Sequence, residues 1–338
     1  MKAVAYQKAH PLSHPEALLD TTLPDPEARG RDLLVEVKAI SVNPVDIKLR
    51  ANVEPAAGQP WKVLGWDVVG VVRAVGDAVT AYQPGDRVWY AGAIDRPGCN
   101  SELHLVDERL VGPAPASIGF AEAAALPLTA ITAWELLFDR LGVAPGKGPS
   151  HDALLVIGAA GGVGSVLLQL ARRLTPLTVI GTASRPETRA WAEDMGAHLV
   201  IDHSRPLAEE LKRVGAPAPR YVASLTHTDQ HVAQIIEAIA PQGHLALIDD
   251  PPSLDATKLK RKSVSLHWEL MFTRSLYQTP DMPAQGRLLG EVAALVDAGL
   301  VRSTMTEQFG TINAENLKRA HALLESGRAR GKIVLEGF

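Results

Sequence analysis

Cysteine is almost missing from this chain: Cys99 stands alone among 338 residues. One thiol makes neither an intramolecular disulfide nor a cysteine-based metal cluster. Long apolar runs are missing too, and no window approaches the ~20 uninterrupted apolar residues that a bilayer span requires. Met1–Tyr6 alternates as a strand does and lacks the apolar core of a signal peptide, so a cytoplasmic location is the expectation. The formal net charge is −4. That balance gives no reason to expect nucleic acid, a membrane surface or strongly acidic partners. Internal repeats and low-complexity tails are absent as well. What remains has a globular composition, 46% hydrophobic and 21% charged. The chain is long enough for two cores, since single cores stop growing near ~250–300 residues.

The first third carries short valine-rich runs and many turn residues. Leu33–Ile40 and Asp67–Val75 read as strands, and Ala81–Val88 as a Pro-Gly-Asp turn leading into a third. Long helical periods are absent there, which predicts a compact, barrel-like β domain. From Phe120 the pattern changes. Phe120–Ala125 and Ala130–Leu141 read as helical, and strands then alternate with helices. Strands are expected at 154–157, 177–181, 199–201, 221–225, 244–248 and 264–268, with helices at 165–174, 186–195, 205–214 and 229–240. Helices at 286–299 and 314–326 and a last strand at 332–335 follow. Such alternation predicts a parallel, doubly wound sheet, so the fold class is α/β.

The most informative stretch is Leu154-Leu155-Val156-Ile157-Gly158-Ala159-Ala160-Gly161-Gly162-Val163-Gly164-Ser165. An apolar strand enters a glycine-rich turn and then an amphipathic helix, the order a dinucleotide site needs. Small residues at Ala159, Gly161 and Gly164 suit a tight turn, close approach of backbone to a pyrophosphate, and close helix–strand packing. Alanine stands where the usual pattern has its first glycine. The candidate cradle is Ala160, Gly161, Gly162, Val163 and Gly164, whose amides and helix dipole face the phosphates. Alone, such a turn also suits an ordinary strand–helix connection. The next strand adds to it. Roughly 20 residues past the turn, an NAD-preferring site places an acidic residue on the ribose hydroxyls. Here the strand ends in Thr182-Ala183-Ser184-Arg185, with Arg189 one helical turn on. A hydroxyl and guanidinium groups stand where a carboxylate would, and arginine holds phosphate with a charge-assisted fork. Ser184, Arg185 and Arg189 therefore point to NADPH; the alternative is that both arginines are solvated helix-start residues.

Several further strings lie in order along the chain: Ser41-Val42-Asn43-Pro44-Val45-Asp46, Gly65-Trp66-Asp67-Val68-Val69-Gly70, Val75-Gly76 through Pro84-Gly85-Asp86-Arg87-Val88, Ala125-Leu126-Pro127-Leu128-Thr129-Ala130-Ile131-Thr132-Ala133-Trp134 and Gly331-Lys332-Ile333-Val334. With the glycine turn, they resemble the medium-chain dehydrogenase/reductase superfamily, within it the quinone oxidoreductase branch and the zinc-type alcohol dehydrogenase-like proteins. The resemblance implies a GroES-like β-barrel catalytic domain over 1–125 and 300–338 and a Rossmann NADP(H)-binding domain over 126–299. It also implies a homodimer or homotetramer and an active site in a cleft. Thr132 matches the family's threonine beside the nicotinamide; its other reading is a helix-interior threonine bonding its own backbone. Lys332 sits where the family's last strand returns to the cofactor, and is carried as a cofactor contact.

The zinc implied by the family's name is tested position by position. Catalytic-zinc members place cysteine, histidine and cysteine at the positions of Asn43, Trp66 and Leu128, with an acidic residue at Asp67. Asparagine is a poor zinc ligand, and the other two side chains cannot coordinate. The four-cysteine structural lobe is also missing, so no zinc is expected. Without that Lewis acid, an alcohol–carbonyl couple loses its polarising group. Hydride transfer to a quinone or α,β-unsaturated carbonyl is less demanding, because the acceptor spreads charge by resonance. Asn43 is the candidate substrate-side donor, its other reading being an Asx turn before Pro44. Lys48 stands where many quinone reductases carry tyrosine, Trp66 fills the space of zinc and its ligands, and His267 lies in the run His267–Arg274; these three are carried as cleft residues. The competing readings are an alcohol dehydrogenase and an NADPH-binding protein with a non-catalytic role. The acceptor itself is not legible.

Overall fold

Two valine-rich runs build the centre of the first sheet. Along Asp32–Ser41 every second residue, Leu33, Val35, Val37 and Ala39, is buried, the period-two pattern of a strand covering a core. Its neighbour Val68–Val75 presses so closely that a Cβ on Gly70 would lie 2.3 Å from the Glu36 carbonyl oxygen. A computed structural model describes residues 1–338 and separates into two units, Met1–Ile131 with Phe272–Phe338, and Thr132–Met271.

The first unit contains β1 (Lys2–Tyr6), β2 (Leu19–Thr22), β3 (Asp32–Ser41), α1 (Pro44–Asn52), β4 (Lys62–Val63), β5 (Val68–Val75), β6 (Arg87–Tyr90), β7 (Leu103–Asp107) and β8 (Gly112–Pro113). Helix α1 starts where Pro44 pre-sets the first helical turn, and Asp46 accepts the Asn43 N–H at 2.7 Å. The helical run continues through α2 (Phe120–Ala124) and α3 (Pro127–Trp134) into a π turn over Glu135–Arg140. By length and hydropathy the run Phe120–Arg140 could cross a bilayer, but 78% of its apolar window is buried, as in a core helix.

The second unit holds β9 (Ala153–Ile157), α4 (Gly162–Leu174), β10 (Thr178–Thr182), α5 (Pro186–Asp194), β11 (Leu199–Ile201), α6 (Leu207–Arg213), β12 (Tyr221–Ser224), α7 (Thr228–Ala238), β13 (His244–Leu247) and β14 (Ser265–Trp268). Its six strands are all parallel in the order β11-β10-β9-β12-β13-β14. The first strand, β9, lies at the centre and is buried throughout. The strand order reverses there, the place where doubly wound sheets bind ligands.

The chain then returns to the first unit with α8 (Thr273–Leu276), α9 (Pro283–Asp297), β15 (Met305–Gln308), α10 (Ala314–Glu325) and β16 (Lys332–Glu336). Strands β15 and β16 extend the large sheet, whose order is β15-β16-β3-β5-β6-β8 with β7 also on β3; β2-β1-β4 form a smaller one. The barrel-like domain and the parallel sheet are thus both present. One difference concerns α9. Its periodicity places a helix near 286–299, which the sequence reading groups with the Rossmann domain, yet α9 packs on the first unit. A Cβ on Gly286 would lie 2.5 Å from the Val111 carbonyl oxygen, and one on Gly112 2.5 Å from the Leu289 Cβ. Two glycines let this helix lie flat against β8, a fit that periodicity does not encode.

Candidate functional site

In the second unit, the turn after β9 needs glycine at its first bend: Gly158 has φ +81°. Its N–H donates to Thr182 Oγ1 at 3.3 Å, and the Gly161 N–H donates to the Gly158 carbonyl at 3.2 Å. Ala159, the departure from the usual first glycine, is wholly buried. It fits because β10 answers it with Gly181, where a Cβ would stand 3.1 Å from that of Ala159. Gly164 brings the helix close, since a Cβ there would meet the Gly158 and Ala159 carbonyl oxygens at 2.5 and 2.6 Å. At Gly161 the space is open, with only the Gly158 oxygen within 4 Å, at 3.5 Å. A cradle is therefore left beside the first turn of α4, where Gly162, Val163 and Gly164 carry amides without intrahelical acceptors. Ala160 is part-buried on the same turn.

The end of β10 carries the selectivity candidates. Ser184 is exposed, and Arg185 caps α5 with its side chain 40% exposed. Its ion pair with Glu187, at 3.2 Å, is with a carboxylate that is itself 56% exposed, an arrangement worth little in water. Arg189 is used structurally, donating to the Val200 carbonyl at 2.6 Å. Thr132 is buried within α3. The remaining histidines read from the sequence as surface residues, yet His203 is part-buried, with its Nδ1 3.3 Å from Thr182 Oγ1. The available signal was its place directly after a parallel strand.

In the first unit, the positions tested for zinc surround a buried polar knot. Asp67 is fully buried, and its Oδ2 accepts from Ser41 Oγ at 2.7 Å, Asn43 Nδ2 at 2.7 Å and Lys332 Nζ at 2.9 Å. Its Oδ1 accepts the Leu128 N–H at 2.7 Å. The Lys332 ammonium also donates to the Val42 carbonyl at 2.9 Å and to Asn43 Oδ1, so its three protons have three acceptors. Burial pushes the Asp46 carboxyl up to about 7; the Asn43 backbone N–H and Lys332 pull it down, and the Asp67 charge raises it. The one thiol, Cys99, donates to the Asp67 backbone oxygen at 3.6 Å, and burial raises its pKa well above the ordinary value, holding it as SH.

This geometry relocates two residues. Lys332, carried as a cofactor contact, is 4% exposed with its ammonium engaged inside the knot. Asn43, the candidate donor, is 1% exposed with its amide oxygen and one amide hydrogen engaged. Trp66 is also a core residue, 1% exposed; its Nε1 donates to the Ala93 carbonyl at 3.3 Å and its ring meets Phe272 edge-on at 6.4 Å. Lys48 lies on the exposed face of α1. His267 lies part-buried on the edge strand β14, near Ser265 Oγ at 3.3 Å and stacked 6.0 Å from His244; burial and then Arg140 lower its pKa.

Comparison with known proteins agrees with this architecture. Residues 29–133 match the alcohol dehydrogenase GroES-like domain, and residues 195–335 match the zinc-binding dehydrogenase model. A zinc-type alcohol dehydrogenase-like protein of Staphylococcus aureus is 39% identical over 341 residues, covering 99% of both chains. A Rhizobium etli protein provisionally named a zinc-dependent alcohol dehydrogenase is 57% identical, with TM-score 0.96 over 100% of this chain and 98% of that one. A quinone oxidoreductase of Pseudomonas syringae superposes with TM-score 0.81 at 28% identity, covering 99% of each. The chain belongs to the medium-chain dehydrogenase/reductase superfamily: it is an α/β oxidoreductase with a GroES-like domain and a parallel-sheet Rossmann domain.

Proposed function

We propose that this chain is a zinc-independent, NADPH-dependent reductase of quinones or α,β-unsaturated carbonyls. The observation that carries the reading is the knot. Where zinc members need thiolate and imidazole, this chain places Asn43, Trp66 and Leu128, and the Lys332 ammonium stands 2.9 Å from Asp67. A zinc ion does not fit this donor set: the side chains offer no imidazole or thiolate, and a resident cation already balances the buried carboxylate. Bound NADPH supplies the hydride. Gly161, Gly162, Val163 and Gly164 hold the pyrophosphate against the α4 N-terminus, and Ser184 and Arg185 receive the adenosine phosphate. Lys332, Asp67 and Asn43 fix the end of β3 and the start of α1 from within, a metal-free brace for the catalytic domain. A conjugated acceptor fits such a site because it delocalises the charge that a ketone would pass to a metal. The Pseudomonas quinone oxidoreductase supports this acceptor class by likeness.

Assembly follows the same reading. Strand β14 is an open sheet edge, with Trp268 and Leu270 just over half exposed. Edges of this kind are usually paired or covered, in keeping with a homodimer or homotetramer, which light scattering reads as a multiple of 36.1 kDa.

Two assays test the reading. NADPH oxidation is expected with p-benzoquinone or an enone, and no reduction of NADP⁺ with simple alcohols; the reverse pattern makes the chain an alcohol dehydrogenase, and tight binding without turnover makes it a binding protein. The Arg185→Asp variant is expected to weaken NADPH by about ten- to a hundredfold, the loss of one or two charge-assisted hydrogen bonds, and to leave NADH nearly unchanged. Equal weakening of both removes Arg185 from the phosphate site.

A further inference from the structure

Three histidines gather at the carboxyl ends of β11 and β12. His203 follows β11, His227 stands at the entry to α7, and His231 lies on its first turn. The His203 and His231 rings meet edge-on, 5.8 Å apart at 70°. Thr182 Oγ1 ties the group to the glycine turn, with His203 Nδ1 on one side and the Gly158 N–H on the other, both at 3.3 Å. His231 Nδ1 is buried without a hydrogen-bond partner. His227 holds a left-handed backbone, φ +51°, an unusual conformation for a residue with a side chain.

The nearby carboxylates are engaged elsewhere. Asp202 accepts the Ser204 N–H and O–H at 2.9 and 2.7 Å. Asp249, after β13, accepts the Thr228 N–H and O–H at 2.8 and 2.5 Å. On α6, Glu210 pairs with Arg213 at 2.7 Å. Asp229 is exposed on α7. Burial holds His203 and His231 below the ordinary histidine value. His227 lowers both, and His203 also lowers His231; Asp202 opposes this at His203, and Asp229 and Asp249 at His231. The pair is therefore neutral near pH 7, and neither ring is hydrogen-bonded to a carboxylate.

We infer that His203, backed by His231 and His227, receives the adenosine phosphate of the cofactor by taking up a proton from solvent. This rests on the NADPH reading above. The end of a parallel sheet is where a doubly wound fold meets its ligand, and a dianion placed against a desolvated imidazole favours its charged form. Binding then couples to protonation: NADPH affinity rises as pH falls, whereas NADH, which lacks that phosphate, shows no such coupling.

The experiment is calorimetric titration of the full chain with NADPH and with NADH, from about pH 7 to about pH 8, in two buffers of different protonation enthalpy. The window stays above the phosphate's own second pKa of about 6. The expected result is proton uptake with NADPH only, and an NADPH Kd that tightens roughly three- to tenfold per pH unit lowered. His203→Asn and His231→Asn should each reduce the uptake, with retained NADH binding reporting an intact fold. Unchanged uptake in both variants overturns the inference, as does NADPH preference without any uptake. If the protein binds NADH as tightly as NADPH, the cofactor reading fails, and the inference fails with it.

Discussion

Replacing Lys332 with methionine is expected to cost the fold about 3–5 kcal/mol, the penalty for removing one partner of a buried ion pair. The cost arises because Asp67 stays behind, fully buried and acceptor-only, with Ser41, Asn43 and the Leu128 amide as its remaining donors. Those three donors place the loss toward the lower end of the range. Asn43 Oδ1 and the Val42 carbonyl also lose their donor. Against a total stability of order 5–15 kcal/mol, this is a large fraction. Urea titration of the single variant and of Lys332→Met/Asp67→Leu checks it. If the buried charge causes the loss, the double variant recovers part of it. If Lys332 serves only by its bulk, the methionine variant is nearly as stable as the parent and the double variant is worse.

The second large effect is expected at Gly164. Even alanine places a Cβ 2.5 and 2.6 Å from two carbonyl oxygens of the glycine turn, and those are backbone atoms that cannot swing aside. Helix α4 must back away from β9, carrying its N-terminal amides with it. A displacement of about 1 Å at a positioning element costs on the order of a hundredfold, here in NADPH affinity, with roughly 1–3 kcal/mol of stability lost to overpacking. Gly161→Ala is the control. Its Cβ enters open space 3.5 Å from the nearest oxygen, so stability is expected to hold within about 0.5 kcal/mol while cofactor affinity falls. Thermal unfolding beside NADPH fluorescence titration separates the two variants. Equal stability loss in both contradicts the packing argument.

Much of this was legible before the fold was known, because the signals are local. The alternation from Leu154 onward fixes a parallel sheet, since each strand must be buried on both faces and each crossover must be helical. The glycine spacing marks the turn between β9 and α4 within one short stretch of chain. What escaped the sequence depended on distance along it. Lys332 and Asp67 are 265 positions apart, so a lysine read as a cofactor contact becomes the cation of a buried knot only once β16 pairs with β3. Helix α9 was visible as a helix, but which core it covers is decided by two small residues, Gly112 and Gly286. His203 and His231 stand 28 positions apart in the chain, and their rings meet because α6 packs on α7.

On the proposed reading hydride transfer needs no metal, and Lys332 rather than zinc balances the buried Asp67. The most direct test is to quantify zinc in the purified, chelator-treated protein and to follow NADPH oxidation by p-benzoquinone in the same sample. The account predicts turnover at an undiminished rate with zinc far below one atom per chain, and no stimulation when zinc is restored. Stoichiometric zinc, or activity that disappears with the metal and returns with it, would contradict it.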